Sequence, residues 1–297
     1  MKKPIIIFGT GRSGTTILMD ALFRHKDVAY FPNYLNYKPQ WLWFCYLRNL
    51  HDNNFFRILK KRDKSFAHQI INLIISKPVE GYAIWEYILP NHINFSRNYL
   101  SDFTISEIDK AKVNTYFESL VSLQNRSRLA LKITGPGRLK FLYELLPEAK
   151  FIWLKRNFIP TLSSFLKVGF FENRKTNELW WKSEAVERKL NKFPEIKEDS
   201  ILFTAFQLHE IIKDIEFTIQ HLNLNVFIVN YEDFTKNPDK AMQDVLSFCE
   251  LDIDQDCISF LDKTIIEDRN KADTSYFDEE TLQNINNLRI KLNQLEE

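Results

Sequence analysis

The chain has 297 residues, 44% hydrophobic and 14% aromatic, enough apolar material for one large core or two ordinary ones. With 40 Lys and Arg against 39 Asp and Glu, the formal net charge is +1, which argues against nucleic-acid coating and confines cationic chemistry to local sites. Cys45, Cys249 and Cys257 form neither a metal spacing nor an even disulfide framework. The apolar run behind Met-Lys-Lys-Pro is too short for a signal sequence, and none reaches the roughly 18 residues of a transmembrane helix. A soluble, cytoplasmic protein is expected.

In chain order, an apolar strand at residues 4–8 runs into a glycine-rich turn and a helix at 15–25. A second strand follows at 28–31, then a large helical insertion from about 39 to 125, whose last helix covers 106–125. Strand 129–134, helix 139–146, strand 150–154 and helix 160–167 come next. The series closes with helix 201–221, strand 226–230, helix 240–250 and an acid-rich tail read as a solvated amphipathic helix. The strands are almost continuously apolar, as in a parallel sheet buried on both faces. Strand-helix alternation without repeats or Gly/Ser linkers predicts a single α/β domain over residues 1–297, with a central parallel sheet flanked by helices.

The turn reads Gly9-Thr-Gly-Arg-Ser-Gly-Thr-Thr16. Its glycines let the backbone approach a ligand, and the helix start presents unpaired N–H groups at the positive end of its dipole. Arg12, Ser13, Thr15 and Thr16 add a cation and three hydroxyls to Gly11 and Gly14, which makes a phosphate cradle. A nucleoside-triphosphate P-loop needs Lys where Thr15 stands, and a dinucleotide site needs an acid near the end of the second strand, where Val28-Ala-Tyr-Phe-Pro-Asn33 offers none. The remaining reading is a pocket for one 5′-phosphate, with Arg12 set to neutralise a leaving group.

Phe151-Ile-Trp-Leu-Lys-Arg-Asn157 ends a strand in two cations, and the next helix carries Ser163 and Ser164. Arg156 and Ser164 can converge on a second phosphate. Two phosphate sites suggest a nucleotide phosphorylated at both ends of its ribose.

These motifs resemble those of the sulfotransferases that use 3′-phosphoadenosine 5′-phosphosulfate (PAPS). The resemblance extends to Leu146-Pro-Glu-Ala-Lys-Phe-Ile-Trp-Leu-Lys-Arg156 and Tyr231-Glu-Asp-Phe-Thr-Lys-Asn-Pro238. A bacterial-type subset is similar at Lys132-Ile-Thr-Gly-Pro-Gly-Arg138, at Pro78-Val-Glu-Gly-Tyr-Ala-Ile-Trp85 and at Arg269-Asn-Lys271. The resemblance implies that Arg12 to Thr16 hold the 5′-phosphosulfate, Arg156 and Ser164 the 3′-phosphate, and that Tyr231 lies near the adenine. Lys132 is expected at the transferring group. The histidine of the cytosolic Lys-Thr-His stretch is missing from Lys132-Ile-Thr134, and Asn33 and Tyr34 stand where Golgi-type relatives carry a glutamate. The subset pattern therefore points to Glu80 as base, with Glu86 next, the two expected on different faces of one helix.

The resemblance implies a hydroxyl or amine acceptor on a small molecule, carbohydrate or lipid, and no metal. A nucleotide-binding protein without turnover and a small-molecule kinase remain the alternatives. His25 reads as a helix-end cap. His92 reads as a surface residue, with the acceptor pocket as alternative. The aromatic stretch 34–46 is expected to pack an insertion helix into the core, with sugar stacking or lipid cover as the other reading.

Overall fold

A computed structural model describes residues 2–52, 77–89, 93–101, 103–168, 178–264, 270 and 276–295. Its centre is a five-stranded parallel sheet in the order β2-β3-β1-β4-β5. The strands are β1 (Ile5–Gly9), β2 (Val28–Ala29), β3 (Arg128–Thr134), β4 (Lys150–Lys155) and β5 (Val226–Asn230). Every residue of β1 is buried, because both faces of the sheet are covered. Ile6 and Phe8 point into an aromatic-rich core with Phe31, Trp85, Phe95, Phe117 and Phe141. Ile5 and Ile7 point into the opposite core with Leu18, Leu22, Ile152, Leu154 and Met242.

The first of these cores lies under α2 (Tyr82–Ile88), α3 (Glu107–Leu123), α4 (Arg138–Leu145) and part of α7 (Ser200–His221). The second lies under α1 (Thr15–Leu22), α9 (Pro238–Phe248) and α10 (Gln255–Asp262). A third cluster joins α5 (Phe158–Lys167), α6 (Glu184–Leu190), α7 and the tail helix α11 (Glu279–Gln294). The expected tail helix thus exists, and it docks through Ile285, Leu288 and Leu292 rather than standing free. The short α8 (Tyr231–Lys236) follows β5 directly.

Strand β1 pairs with β3 on one side and β4 on the other, with Gly9 level with Thr134 and Phe8 level with Trp153. The chain reverses its direction of winding at β1, so the glycine turn emerges at a topological switch point beyond the carboxyl ends of the strands. Open α/β sheets bind their ligands there.

Two expectations about the insertion are corrected. The segment before α2 is extended: Val79 N–H donates to Phe31 O at 2.9 Å, and Asn33 N–H to Lys77 O at 2.7 Å. Gly81, at φ 71°, then turns the chain into α2. Glu80 therefore precedes the helix, and only Glu86 lies on it. The aromatic stretch is also only partly core: Tyr34 packs against the first core, but most of its other aromatics face outward. A 3-10 helix, Leu42–Asp52, has three residues per turn, so Cys45 and Arg48 share one buried stripe. Tyr37, Trp43 and Tyr46 are 80%, 61% and 67% exposed.

Gly81 is the hinge on which Glu80 is placed. A Cβ there would collide with the Phe31 ring, and φ 71° is a left-handed conformation that favours glycine. Gly81→Ala should therefore destabilise the protein by about 2–4 kcal/mol. Urea denaturation checks this, and a variant as stable as the parent would contradict the assigned turn.

Candidate active site

The glycine turn is left-handed at Gly11 (φ 75°), Arg12 (φ 53°) and Gly14 (φ 94°). Among the described residues, none accepts a hydrogen bond from the backbone N–H groups of Gly11 to Thr16. Those donors lie at the start of α1, the end of a helix that favours negative charge. At Gly14 an added Cβ would lie 2.8 Å from the Tyr231 ring, so the turn packs directly on that tyrosine. Thr16 is exposed beside the turn, whereas the Ser13 side chain is fully buried beneath it and Thr15 nearly so. Of the three hydroxyls in the cradle motif, Thr16 is the accessible one.

The positive φ of Arg12 is strained for a side-chain-bearing residue, and two partners hold it. Its Nε donates to Ser164 Oγ at 3.2 Å, and its carbonyl accepts from Arg156 Nη1 at 3.1 Å. Arg156 lies with its guanidinium carbon 4.5 Å from the Tyr231 ring centroid, a cation–π contact. Arg156 Nε also donates to Asn270 Oδ1 at 2.9 Å, and Asn270 Nδ2 donates to Glu232 Oε1 at 2.7 Å. Arg12, Arg156, Ser164 and Tyr231 are thus brought together as one cluster. Asn270 belongs to the Arg269-Asn-Lys271 stretch; its two neighbours, like His92, lie outside the described residues. Lys155 turns away toward Glu216, 3.3 Å distant, so only one of the two strand-end cations joins the cluster.

Lys132 leaves β3 on the face toward α1. Its Nζ lies 2.6 Å from Glu80 Oε1 and 3.4 Å from Thr16 Oγ1. The lysine and glutamate side chains are 11% and 19% exposed. Glu80 accepts further hydrogen bonds from the Tyr82 hydroxyl, from Thr134 N–H at 3.2 Å and from Thr134 Oγ1 at 3.0 Å. Burial alone would raise this carboxyl, but the Lys132 charge and the hydrogen bonds from Lys132, Tyr82 and Thr134 outweigh it and hold it below its ordinary value. Burial and the Glu80 charge push the Tyr82 phenol well up, so it remains a donor. Glu86 is half-buried on α2, and makes no hydrogen bond or ion pair among the described residues.

Tyr82 and Thr134 are the site residues that sequence reasoning did not single out. Both stand inside family-like motifs, but nothing in their spacing reveals that they share one carboxylate. Arg138, the end of one such motif, is structural. It is buried, donates to the carbonyls of Pro136 and Phe95, and fixes the turn that follows Thr134. Asp214 secures the same turn by accepting from Gly137 N–H at 2.6 Å and from Ser101 Oγ at 3.1 Å. His25 is a buried tie rather than a site residue: its Nδ1 accepts from Asp27 N–H at 3.1 Å, and its Nε2 lies 3.0 Å from Asp252 O.

At this switch point the glycine turn stands beside a lysine–glutamate pair, on an α/β fold with a parallel sheet. Residues 4–255 match the family model described as "Sulfotransferase family". The chain belongs to the sulfotransferase family. Sulfotransferase STF9 from Mycobacterium avium is similar in structure, with a TM-score of 0.52 at 14% identity over 88% of this chain and 67% of that one. The sulfotransferase domain of the Synechococcus PCC 7002 olefin synthase aligns over 98% of this chain and 96% of its own, at 16% identity and a TM-score of 0.45. No curated protein matches the sequence significantly. Among the described residues no helix is long and apolar enough to cross a membrane.

A folded-state carboxyl held below its ordinary value contributes stability that is complete above the ordinary range and is lost as the pH falls through the lowered value. Glu80→Gln should therefore be less stable than the parent at neutral pH, and the gap should close as the pH falls below about 4. Chemical denaturation at a series of pH values checks this. A gap that stays constant into acid would contradict the pairing.

Proposed function

We propose that this chain transfers a sulfuryl group from PAPS to a hydroxyl or amine of a small-molecule, carbohydrate or lipid acceptor by in-line displacement. The observation that carries the reading is that Lys132 stands between a carboxylate, at 2.6 Å, and a hydroxyl of the glycine-turn helix, at 3.4 Å. A cation shared between an anion cradle and a carboxylate suits a reaction in which negative charge builds on a leaving phosphate while a proton leaves the acceptor.

In this reading the N–H groups of Gly11 to Thr16 receive the 5′-phosphosulfate. Arg12 and Lys132 neutralise the sulfuryl oxygens and the leaving phosphate. Arg156 and Ser164 hold the 3′-phosphate, exchanging their bonds to Arg12 for bonds to phosphate oxygens, and Tyr231 lies beside the adenine. Glu80 takes the acceptor proton. Its lowered pKa keeps it ionised at neutral pH. Protonation would cancel its hold on Lys132 and release that charge to the sulfuryl oxygens, so deprotonation of the acceptor and stabilisation of the leaving group reinforce one another. Glu86 is the second candidate base. All of these charges come from side chains and backbone dipoles.

Adenosine 3′,5′-bisphosphate at 100 times its Kd should stabilise the fold by about 2.7 kcal/mol, and 5′-AMP by much less. Equal thermal shifts would remove the two-phosphate argument. Arg156→Ala should chiefly raise the KM for PAPS, whereas Lys132→Ala should lower kcat by about 10²–10³. Glu80→Gln should keep nucleotide affinity and lose about 10²–10⁴ in the rate of sulfate release from PAPS, with Glu86→Gln near normal. If Glu86→Gln is the inactive variant, the base has been misassigned.

A further inference from the structure

The Glu80 carboxylate is full. Four donors reach it: Lys132 Nζ at 2.6 Å, the Tyr82 hydroxyl, Thr134 N–H at 3.2 Å, and Thr134 Oγ1, which lies 3.2 Å from one oxygen and 3.0 Å from the other. A carboxylate offers about four lone-pair sites. An acceptor hydroxyl therefore meets Glu80 only by displacing a donor, or by way of one.

The four donors differ in what they can relay. The lysine is held by charge, and a backbone N–H cannot exchange its proton during a turnover. The phenol of Tyr82, also half-buried, is turned toward Glu80 and toward the Thr134 carbonyl, 3.5 Å away. The Thr134 hydroxyl donates to Glu80, and no described residue donates to it, so its own acceptor sites are open. It is half-buried, as Tyr82 is, and what sets it apart is its place beside the glycine turn. It also lies against the phosphate cradle: Thr134 is level with Gly9 in the sheet, and a Cβ built on Gly11 would sit 3.9 Å from Thr134 Cβ.

From this geometry we infer that the Thr134 hydroxyl is the catalytic contact for the acceptor and relays its proton to Glu80. The inference rests on PAPS being the donor. As the acceptor oxygen forms its bond to sulfur, its proton passes to Thr134 Oγ1 while the threonine proton passes to a Glu80 oxygen. The bond between sulfur and the 5′-phosphate oxygen breaks, and its electron pair leaves with adenosine 3′,5′-bisphosphate. Threonine ends the step unchanged, Glu80 ends it protonated, and no other reactant is required.

The test uses PAPS with water as acceptor, followed as sulfate release in single turnovers, together with the Kd of adenosine 3′,5′-bisphosphate. Thr134→Val keeps the side-chain shape and the backbone N–H but removes the relay. It should leave the nucleotide Kd within about twofold and lower the single-turnover rate by about 10² or more. Thr134→Ser should recover most of that rate. In mixtures of light and heavy water, the parent rate should fall along a bowed curve, as two protons in flight require, and Thr134→Ser should bow likewise. A Thr134→Val rate near that of the parent, or a straight-line dependence in the parent, would overturn the relay. Failure of the parent chain to bind the nucleotide would instead overturn the underlying donor reading, and the relay with it.

Discussion

The ion pair between Lys132 and Glu80 is the constraint around which the site is arranged. Neither partner belongs by itself at the half-buried carboxyl edge of an apolar sheet, because an uncompensated charge there is costly. Each therefore fixes the other. The lysine is delivered by a central strand whose other residues are almost all buried. The glutamate is delivered by an extended segment clipped to the chain just beyond β2, at Phe31 and Asn33, and released into α2 by Gly81. The aromatic core under α2, in which Trp85 stacks on Phe95 at 4.9 Å, makes that delivery rigid. Packing far from the chemistry thus sets where the carboxylate stands.

The second half of the site follows the same logic. A left-handed Arg12 is tolerated in the turn because Ser164 holds its side chain and Arg156 holds its carbonyl. Arg156 is itself positioned by the Tyr231 ring and by Asn270, which leans on Glu232. Elements from four separated parts of the chain, at 12, 156 to 164, 231 to 232 and 270, meet at one turn. A nucleotide bridging this cluster and the Lys132 side of the turn would link both halves of the site.

The sheet was legible in the sequence because its strands are covered on both faces. A short, continuously apolar, β-branched run suits few elements besides a strand buried on both sides, and strand 226–230 agrees with β5 at both ends. The glycine turn was legible because its residue types are required by its backbone. The path into Glu80 was not, since Gly81 inside an apolar, helix-like stretch reads as a tolerated helical glycine until its positive φ is known. The aromatic stretch misled because burial there follows a period of three, which puts Cys45 and Arg48 inward and leaves Trp43 and Tyr46 out. The sharing of one carboxylate by Tyr82 and Thr134 was hidden for a different reason. The residues are 52 positions apart, and only the folded sheet brings them together.

The most direct test of the account is a double-mutant cycle on Lys132 and Glu80, read in single-turnover sulfate release from PAPS. If the two act as a unit, Lys132→Ala with Glu80→Gln should be little slower than the worse single variant, because either change alone already disables the pair. Losses that simply multiply in the double variant would mean that the lysine and the glutamate act independently, and would contradict the central role of their pairing.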